Sequence, residues 1–205
     1  MLNEDLCLSQ WNSLRNLDAG MYGADPNDPT HAADPSVCTV RPRLITLSAG
    51  QHIYRWSDAR RGSTNEEKAA GGAWWSTKRG AMHILIDRKG RGDASTSEAA
   101  RSYSNVARSW GNNLDEVVCA RVIDDIRCFL GMGRDITDEE HGEVWDSRGL
   151  QLYIPNLSHK DPTSGAYTLT AEASRHLSVE WVMPAAAFEL EHWNANMPER
   201  SRISL

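Results

Sequence analysis

Three short stretches of this 205-residue chain carry the residue types from which a polar cleft is built. In HIYRW, Arg55 shares one strand face with Ile53, while Tyr54 and Trp56 share the other, because successive strand side chains point to opposite sides. A guanidinium beside an apolar residue on an inward face needs a partner, and its planar fork fits a diphosphate or a carboxylate. On an edge strand the same arginine would extend to water. In GGAWWST, Gly71 and Gly72 permit a turn or a close backbone approach, and Trp74 and Trp75 offer flat walls on which a nicotinamide or purine ring could stack. Ser76 and Thr77 can cap the segment that follows or hydrogen-bond a ribose. A plain hairpin with one core and one surface tryptophan would use the same residues. In VEWVMP, alternation places Glu180 on the face of Val182, a carboxylate in an apolar strand that is either salt-bridged for structure or functional. Arg55 is a reasonable partner for it in both cases.

Strands are needed to carry these groups, and the pattern supplies them. Leu44 to Leu47 and Gln51 to Trp56 form short strands about the turn SAG. In SEAARSYSNVARSW, the residues Ala99, Ala100, Tyr103, Val106, Ala107 and Trp110 share a helical face, with Ser95 or Thr96 as N-cap and Gly111-Asn112-Asn113 as the end. DEVVCARVI is a buried strand by its β-branched run, and IRCFLG extends it or begins another. LQLYIPN and LSVEWVMP add two strands, each stopped by proline. The polar residues 131 to 148 predict a loop with a short helix. From Glu4 to Leu17, Leu6, Trp11, Leu14 and Leu17 give a helical stripe, and the Asp-Pro and Gly turns beyond it predict an irregular segment. The expected organisation is an N-terminal helix and irregular arm over residues 1–43, then a domain over 44–205. Short strands with few helices and no regular alternation indicate an α+β fold.

Composition sets the outer bounds. Apolar residues at 40% and charged residues at 24% describe a globular chain. A net charge of -6 argues against a protein that works by neutralising nucleic-acid phosphates. The middle third is locally basic through Arg60, Arg61, Lys78, Arg79, Arg88, Lys89 and Arg91, which suits a phosphate-bearing small ligand or a solvated face. Cys7, Cys38, Cys119 and Cys128 form no CxxC pair, and the seven histidines show no ligand spacing, so no metal site is expected. MLNEDLCLSQ lacks the pattern of a secretory signal, and no apolar run approaches a membrane span. The expectation is a cytoplasmic protein, or one delivered into a target cell without a cleaved signal peptide.

Taken in order, IYRW, a serine motif and EWVMP resemble the ADP-ribosyltransferase superfamily, specifically its Arg-Ser-Glu branch of bacterial toxins and effectors. In that family a first strand ends in an arginine, a later strand carries Ser-Thr-Ser or a shorter variant, and a late strand carries the catalytic glutamate before an apolar stretch and a proline. The resemblance covers roughly residues 44 to 188 and implies a split β-sandwich around an NAD cleft. It also implies cleavage of the bond between nicotinamide and ribose, with NAD as the substrate. Glu180 would stabilise the developing positive charge and Arg55 would hold the diphosphate. Ser76 would bond the nicotinamide ribose or support Glu180, with Thr77 beside it, and Trp74 or Trp75 would stack on the nicotinamide. The serine motif has a second candidate, Ser95-Thr96-Ser97, and the acid has three alternatives, Glu189, Glu191 and the Gln151 position. GGAWWS also resembles the segment that follows the arginine in RES-type NAD-degrading toxins, where Glu98 would have to supply the acid. The resemblance implies an unknown protein or nucleic-acid acceptor and an immunity, antitoxin or chaperone partner. The remaining reading is an interaction module without chemistry, in which Arg55 pairs with Glu180 for structure.

Overall fold

The computed structural model describes residues 1–7, 43–59, 66–92, 95–133, 135–145, 149–163, 166–189 and 193. The predicted Glu4–Leu17 helix falls largely outside them. Where it would begin, Leu2 and Leu6 are buried, Leu2 bridges Ile126, and Asn3 donates to the carbonyls of Arg127 and Pro155. The first residues therefore turn against the domain, with Asn3 at φ 60°, and form no helix up to residue 7.

Seven antiparallel strands form the main sheet. In chain order they are β1 (Arg43–Leu47), β2 (His52–Ser57), β3 (Trp74–Thr77), β4 (Glu116–Val122), β5 (Ile126–Met132), β8 (Leu150–Tyr153) and β11 (Leu177–Pro184). Their spatial order is β1-β5-β8-β3-β2-β4-β11. Two small hairpins stand apart, β6 (Ile136–Asp138) with β7 (Glu143–Trp145) and β9 (Ser158–Lys160) with β10 (Tyr167–Leu169). The helices are α1 (Glu66–Ala69), α2 (Lys78–Arg91), α3 (Thr96–Ser104) and α4 (Ala173–His176). This is an α+β fold, with helices set against an antiparallel sheet.

Alternation divides the sheet into two packed faces. On one, Ile53, Trp75, Val118, Ala120, Cys128 and Leu152 form a core with Ala69, Ala70 and Ala173. On the other, Tyr54, Trp56, Val117 and Cys119 pack with Ala81, Ile84, Leu85, Ala99 and Ala100 of α2 and α3. Two sequence signals fix where those helices start. The Thr77 hydroxyl accepts the N–H of Gly80, and the Ser95 hydroxyl accepts that of Ser97. Asn105 and Gly92, both left-handed, end α3 and α2.

The polar stretch predicted as loop with a short helix contains the β6–β7 hairpin instead. Asp138 fixes it: its carboxylate accepts the Ser109 N–H and pairs with His141, so polar anchoring replaces the apolar periodicity that a helix would have needed. The helix predicted to run on to Trp110 ends at Asn105, and a separate 3-10 turn spans Arg108–Trp110. No helix among the described residues is long and apolar enough to cross a membrane.

Candidate functional site

The main sheet has a seam. β2 and β3 share only the pairs Ile53↔Thr77 and Tyr54↔Ser76, after which β3 continues with β8 and β2 continues with β4. Where the strands part, a cleft of about 170 Å³ opens. Arg55, Trp74, Trp75 and Ser76 line it together with Tyr54, Trp56 and Gln151. The far wall is the segment after α3, which contributes Val106, Trp110, Asn112 and Leu114.

Arg55 is half-buried and fills the parting. Its Nη1 donates to the Trp74 carbonyl at 3.0 Å, a backbone oxygen that β3 frees where it turns away from β2. Gly72, at φ +127°, lies flat against the guanidinium, and a Cβ there would collide with it. Gly71 approaches the Tyr167 carbonyl as closely. The paired glycines thus serve close approach, which the sequence suggested, with Arg55 and the β10 backbone as the neighbours.

The tryptophans divide the work. Trp75 is 2% exposed and donates its indole N–H to the Gly72 carbonyl at 3.0 Å, locking the turn that carries the glycines. Trp74 is half-buried and packs on Tyr153 with ring centroids 5.0 Å apart. Ser76 is buried in the cleft wall, and Thr77 is engaged as the α2 cap. The rival serine motif is structural. Ser95 caps α3, while the Thr96 hydroxyl donates to the Ala185 carbonyl and accepts the indole N–H of Trp56.

Gln151 comes into the cleft from β8. It is 6% exposed, and its Nε2 donates to the Ser104 carbonyl at 3.1 Å. That bond uses one of the two Nε2 hydrogens and orients the amide, whose Oε1 is the acceptor for a ligand hydroxyl.

Glu180 is placed elsewhere. Its carboxylate takes His52 Nε2 and Arg121 Nε, each at 2.9 Å, and is not part of the cleft lining. Simple alternation predicts it on the face of Val182, and the register shows why that fails. A β-bulge between Val179 and Trp181 inserts Glu180 as an extra residue. Val179 and Val182 consequently pack on the core that contains Ile53, while Trp181 packs on the Tyr54 side. Glu180 turns to that second side with His52, two residues before Tyr54 on the same strand face. Arg55 shares its strand face with Ile53 and Val118, so the structural Arg55–Glu180 pair is not formed. The other acids are engaged too: Glu98 with Arg108, and Glu189 with Arg88 at 2.9 Å. Glu191 lies outside the described residues.

The electrostatics are those of a cation among rings. Arg55 is the charged residue of the lining among the described residues. Burial pushes the Tyr54 phenol far above its usual range and the Cys119 thiol up to about 12, so both stay protonated. Cys119 is therefore no nucleophile. Nearby, burial and then Asp115 and Asp58 raise the Glu116 carboxyl. Among the described residues no group of His, Cys, Asp and Glu could hold a metal ion.

Sequence reasoning did not single out the post-α3 wall. Its sequence signal was the Asn105 and Gly-Asn-Asn breaks, and in the structure the left-handed Asn105 ends α3 and the left-handed Gly111 ends the 3-10 turn.

No family model and no curated protein matches the chain. Among solved structures it is similar to that of Tne2 in complex with Tni2, at 8% identity and a TM-score of 0.42, covering 72% of this chain and 94% of that one. It is also similar to Rhs1-CT in complex with its cognate immunity protein RhsI1, at 13% identity and a TM-score of 0.37, covering 63% and 77%. A third, Tse6 in complex with Tsi6, gives 12% identity and a TM-score of 0.28, covering 64% and 72%. These likenesses are too slight to fix the fold family or the activity.

Proposed function

We propose that the chain grips NAD in the seam cleft and cleaves its nicotinamide–ribose bond, as an ADP-ribosyltransferase or NAD glycohydrolase of the toxin and effector type. The observation that supports this reading is the convergence of Arg55, Trp74, Ser76 and Gln151 on one cleft where the sheet parts. Arg55 brings a guanidinium, whose planar fork suits a diphosphate, into the cleft lining. Trp74 gives a ring wall for the nicotinamide, and Ser76 and Gln151 bond the ribose hydroxyls. The bond breaks with its electron pair leaving on nicotinamide. Positive charge then develops on the ribose, and water or an acceptor nucleophile adds at that carbon and releases a proton. Gln151 Oε1 directs its dipole at that charge, a role assigned here to Gln151 in preference to Glu180, which the bulge turns toward His52 and Arg121. RES-type chemistry through Glu98 is disfavoured by its engagement with Arg108. The acceptor and any immunity or chaperone partner belong to the same proposal.

A second reading has its own support. No carboxylate lines the cleft among the described residues, which suits a module that binds the dinucleotide without cleaving it. Nicotinamide release from NAD separates the two. The enzyme reading expects release from the wild type, a fall of roughly a hundredfold in Gln151→Ala, and a change under about threefold in Glu180→Gln. Loss of release in Glu180→Gln with Gln151→Ala still active would return the catalytic role to the late strand. Saturable NAD binding without release would select the binding module.

A further inference from the structure

We infer that the side-chain amide of Asn112 is a second anion-binding group of the cleft, donating from Nδ2 to a diphosphate oxygen that Arg55 alone does not neutralise; the inference rests on the dinucleotide reading of the cleft. Asn112 lines the cleft and is half-buried. Its backbone carbonyl accepts Arg101 Nη2 at 2.7 Å, and its Oδ1 accepts the Leu114 N–H at 3.1 Å. Only the amide oxygen can accept an N–H, so the second bond settles which way the amide faces and leaves Nδ2 as its donor end. Among the described residues Nδ2 has no hydrogen-bond partner, yet it is not sealed in the interior.

The wall that carries this amide is held from within. Arg101 is 3% exposed and Asp58 is 1% exposed. The Asp58 carboxylate accepts the Asn113 N–H at 3.3 Å, and the Ser97 hydroxyl donates to the Leu114 carbonyl at 2.8 Å. Leu114 takes φ 55°, which a branched side chain adopts only under strain. A buried cation, a buried carboxylate and a strained leucine thus fix the backbone around Asn112. Strain of this kind persists where the surrounding structure over-determines it, and a donor fixed in advance loses little freedom when a ligand arrives.

The charge of the cleft supplies the ligand chemistry. A diphosphate carries more negative charge than one guanidinium neutralises, and Arg55 is the charged residue of the lining among the described residues. In a partly enclosed cleft the excess needs neutral donors. Trp56 and Trp75 donate their indole N–H groups to Thr96 and Gly72. Ser76 and Gln151 are assigned to the ribose. Ser104 is the last residue of α3, where the carbonyl end of the helix disfavours an anion. Asn112 is the amide donor that remains.

Calorimetry with ADP-ribose, inorganic pyrophosphate and nicotinamide riboside tests this on the intact chain. Asn112→Ser keeps an oxygen for the Leu114 N–H and removes the nitrogen. At concentrations where it is fully folded, it should weaken ADP-ribose and pyrophosphate roughly ten- to hundredfold, by similar factors, and leave the riboside within about twofold. Asn112→Asp keeps the same turn and adds a negative charge, so it should weaken both phosphate ligands further. Equal weakening of the riboside would mean that Asn112 only supports the wall, and unchanged ADP-ribose binding would exclude the contact. ADP-ribose weakened with pyrophosphate unaffected or unbound would move the contact away from the phosphates. Each of these results overturns the inference. Failure of the NAD-cleaving reading is a separate result, namely wild-type binding of NAD without nicotinamide release, and leaves these affinities measurable. Wild-type protein that binds neither NAD nor ADP-ribose at millimolar concentration overturns both.

Discussion

Arg55 and Gly72 work as one unit at the parting of β2 and β3. The guanidinium is held from one side by the Trp74 carbonyl and from the other by a glycine backbone with no room for a side chain. Gly72 also needs φ +127°, which side chains strain to adopt. Gly72→Ala should therefore do two separable things. Its backbone strain should lower unfolding stability by about 1–3 kcal/mol, read as a shift of the urea midpoint. Its methyl group should also displace the guanidinium and weaken NAD binding at protein concentrations and temperatures where the variant is fully folded. Lost stability with unchanged affinity would show that Gly72 serves the turn alone. Arg55 and Gly72 were legible as special residues, since an arginine beside Ile53 and a Gly-Gly pair both break local rules. Their mutual contact was not legible, because it depends on how far β3 swings from β2.

The elements split into those that the pattern specifies and those that it hides. Strands β1, β2, β4, β5, β8 and β11 were legible, because β-branched runs and proline stops mark them and their inward faces alternate. The sequence offered Ser76 or Thr77 as a cap for the following segment without marking α2 itself as a helix; Thr77 takes the cap, which leaves Ser76 to line the cleft. Thr77→Ala should cost about 1 kcal/mol of stability. It should also leave nicotinamide release nearly unchanged, measured beside a Ser76→Ala variant that loses it. Equal loss from both would place Thr77 in the ligand site as well as at the cap. The bulge in β11 was not legible. One extra residue inside an apolar strand leaves the hydrophobic pattern intact on both sides, yet it turns every assignment of faces around Glu180. The β6–β7 hairpin was hidden for the opposite reason: Asp138 and His141 stabilise it through polar contacts, which leave no periodic signature.

At the scale of the molecule, the seam is one of two junctions, both of them on β3, where the sheet is joined by only two residue pairs. Strands β1, β5, β8 and β3 form one half and β2, β4 and β11 the other, joined by two residue pairs. The β3–β8 junction is equally short, with two residue pairs, so β3 is the weakly paired strand at which local opening requires the fewest inter-strand bonds to break. A ligand seated in the cleft contacts both halves, touching Arg55 and Tyr54 from one and Trp74, Ser76 and Gln151 from the other. Its binding energy should therefore appear as resistance to that opening. NAD at a hundred times its dissociation constant should stabilise the chain by about 2.7 kcal/mol against global unfolding. In hydrogen exchange, run on Gln151→Ala so that cleavage is slowed and with NAD raised to compensate for the lost ribose contact, the gain should concentrate in residues 53–57 and 73–77, with little change in the β9–β10 hairpin. Arg55→Ala should abolish both effects. Protection centred on β11 and the His52–Glu180–Arg121 cluster would instead put the ligand at the sheet edge, and the seam would then be only a weak joint between two half-sheets.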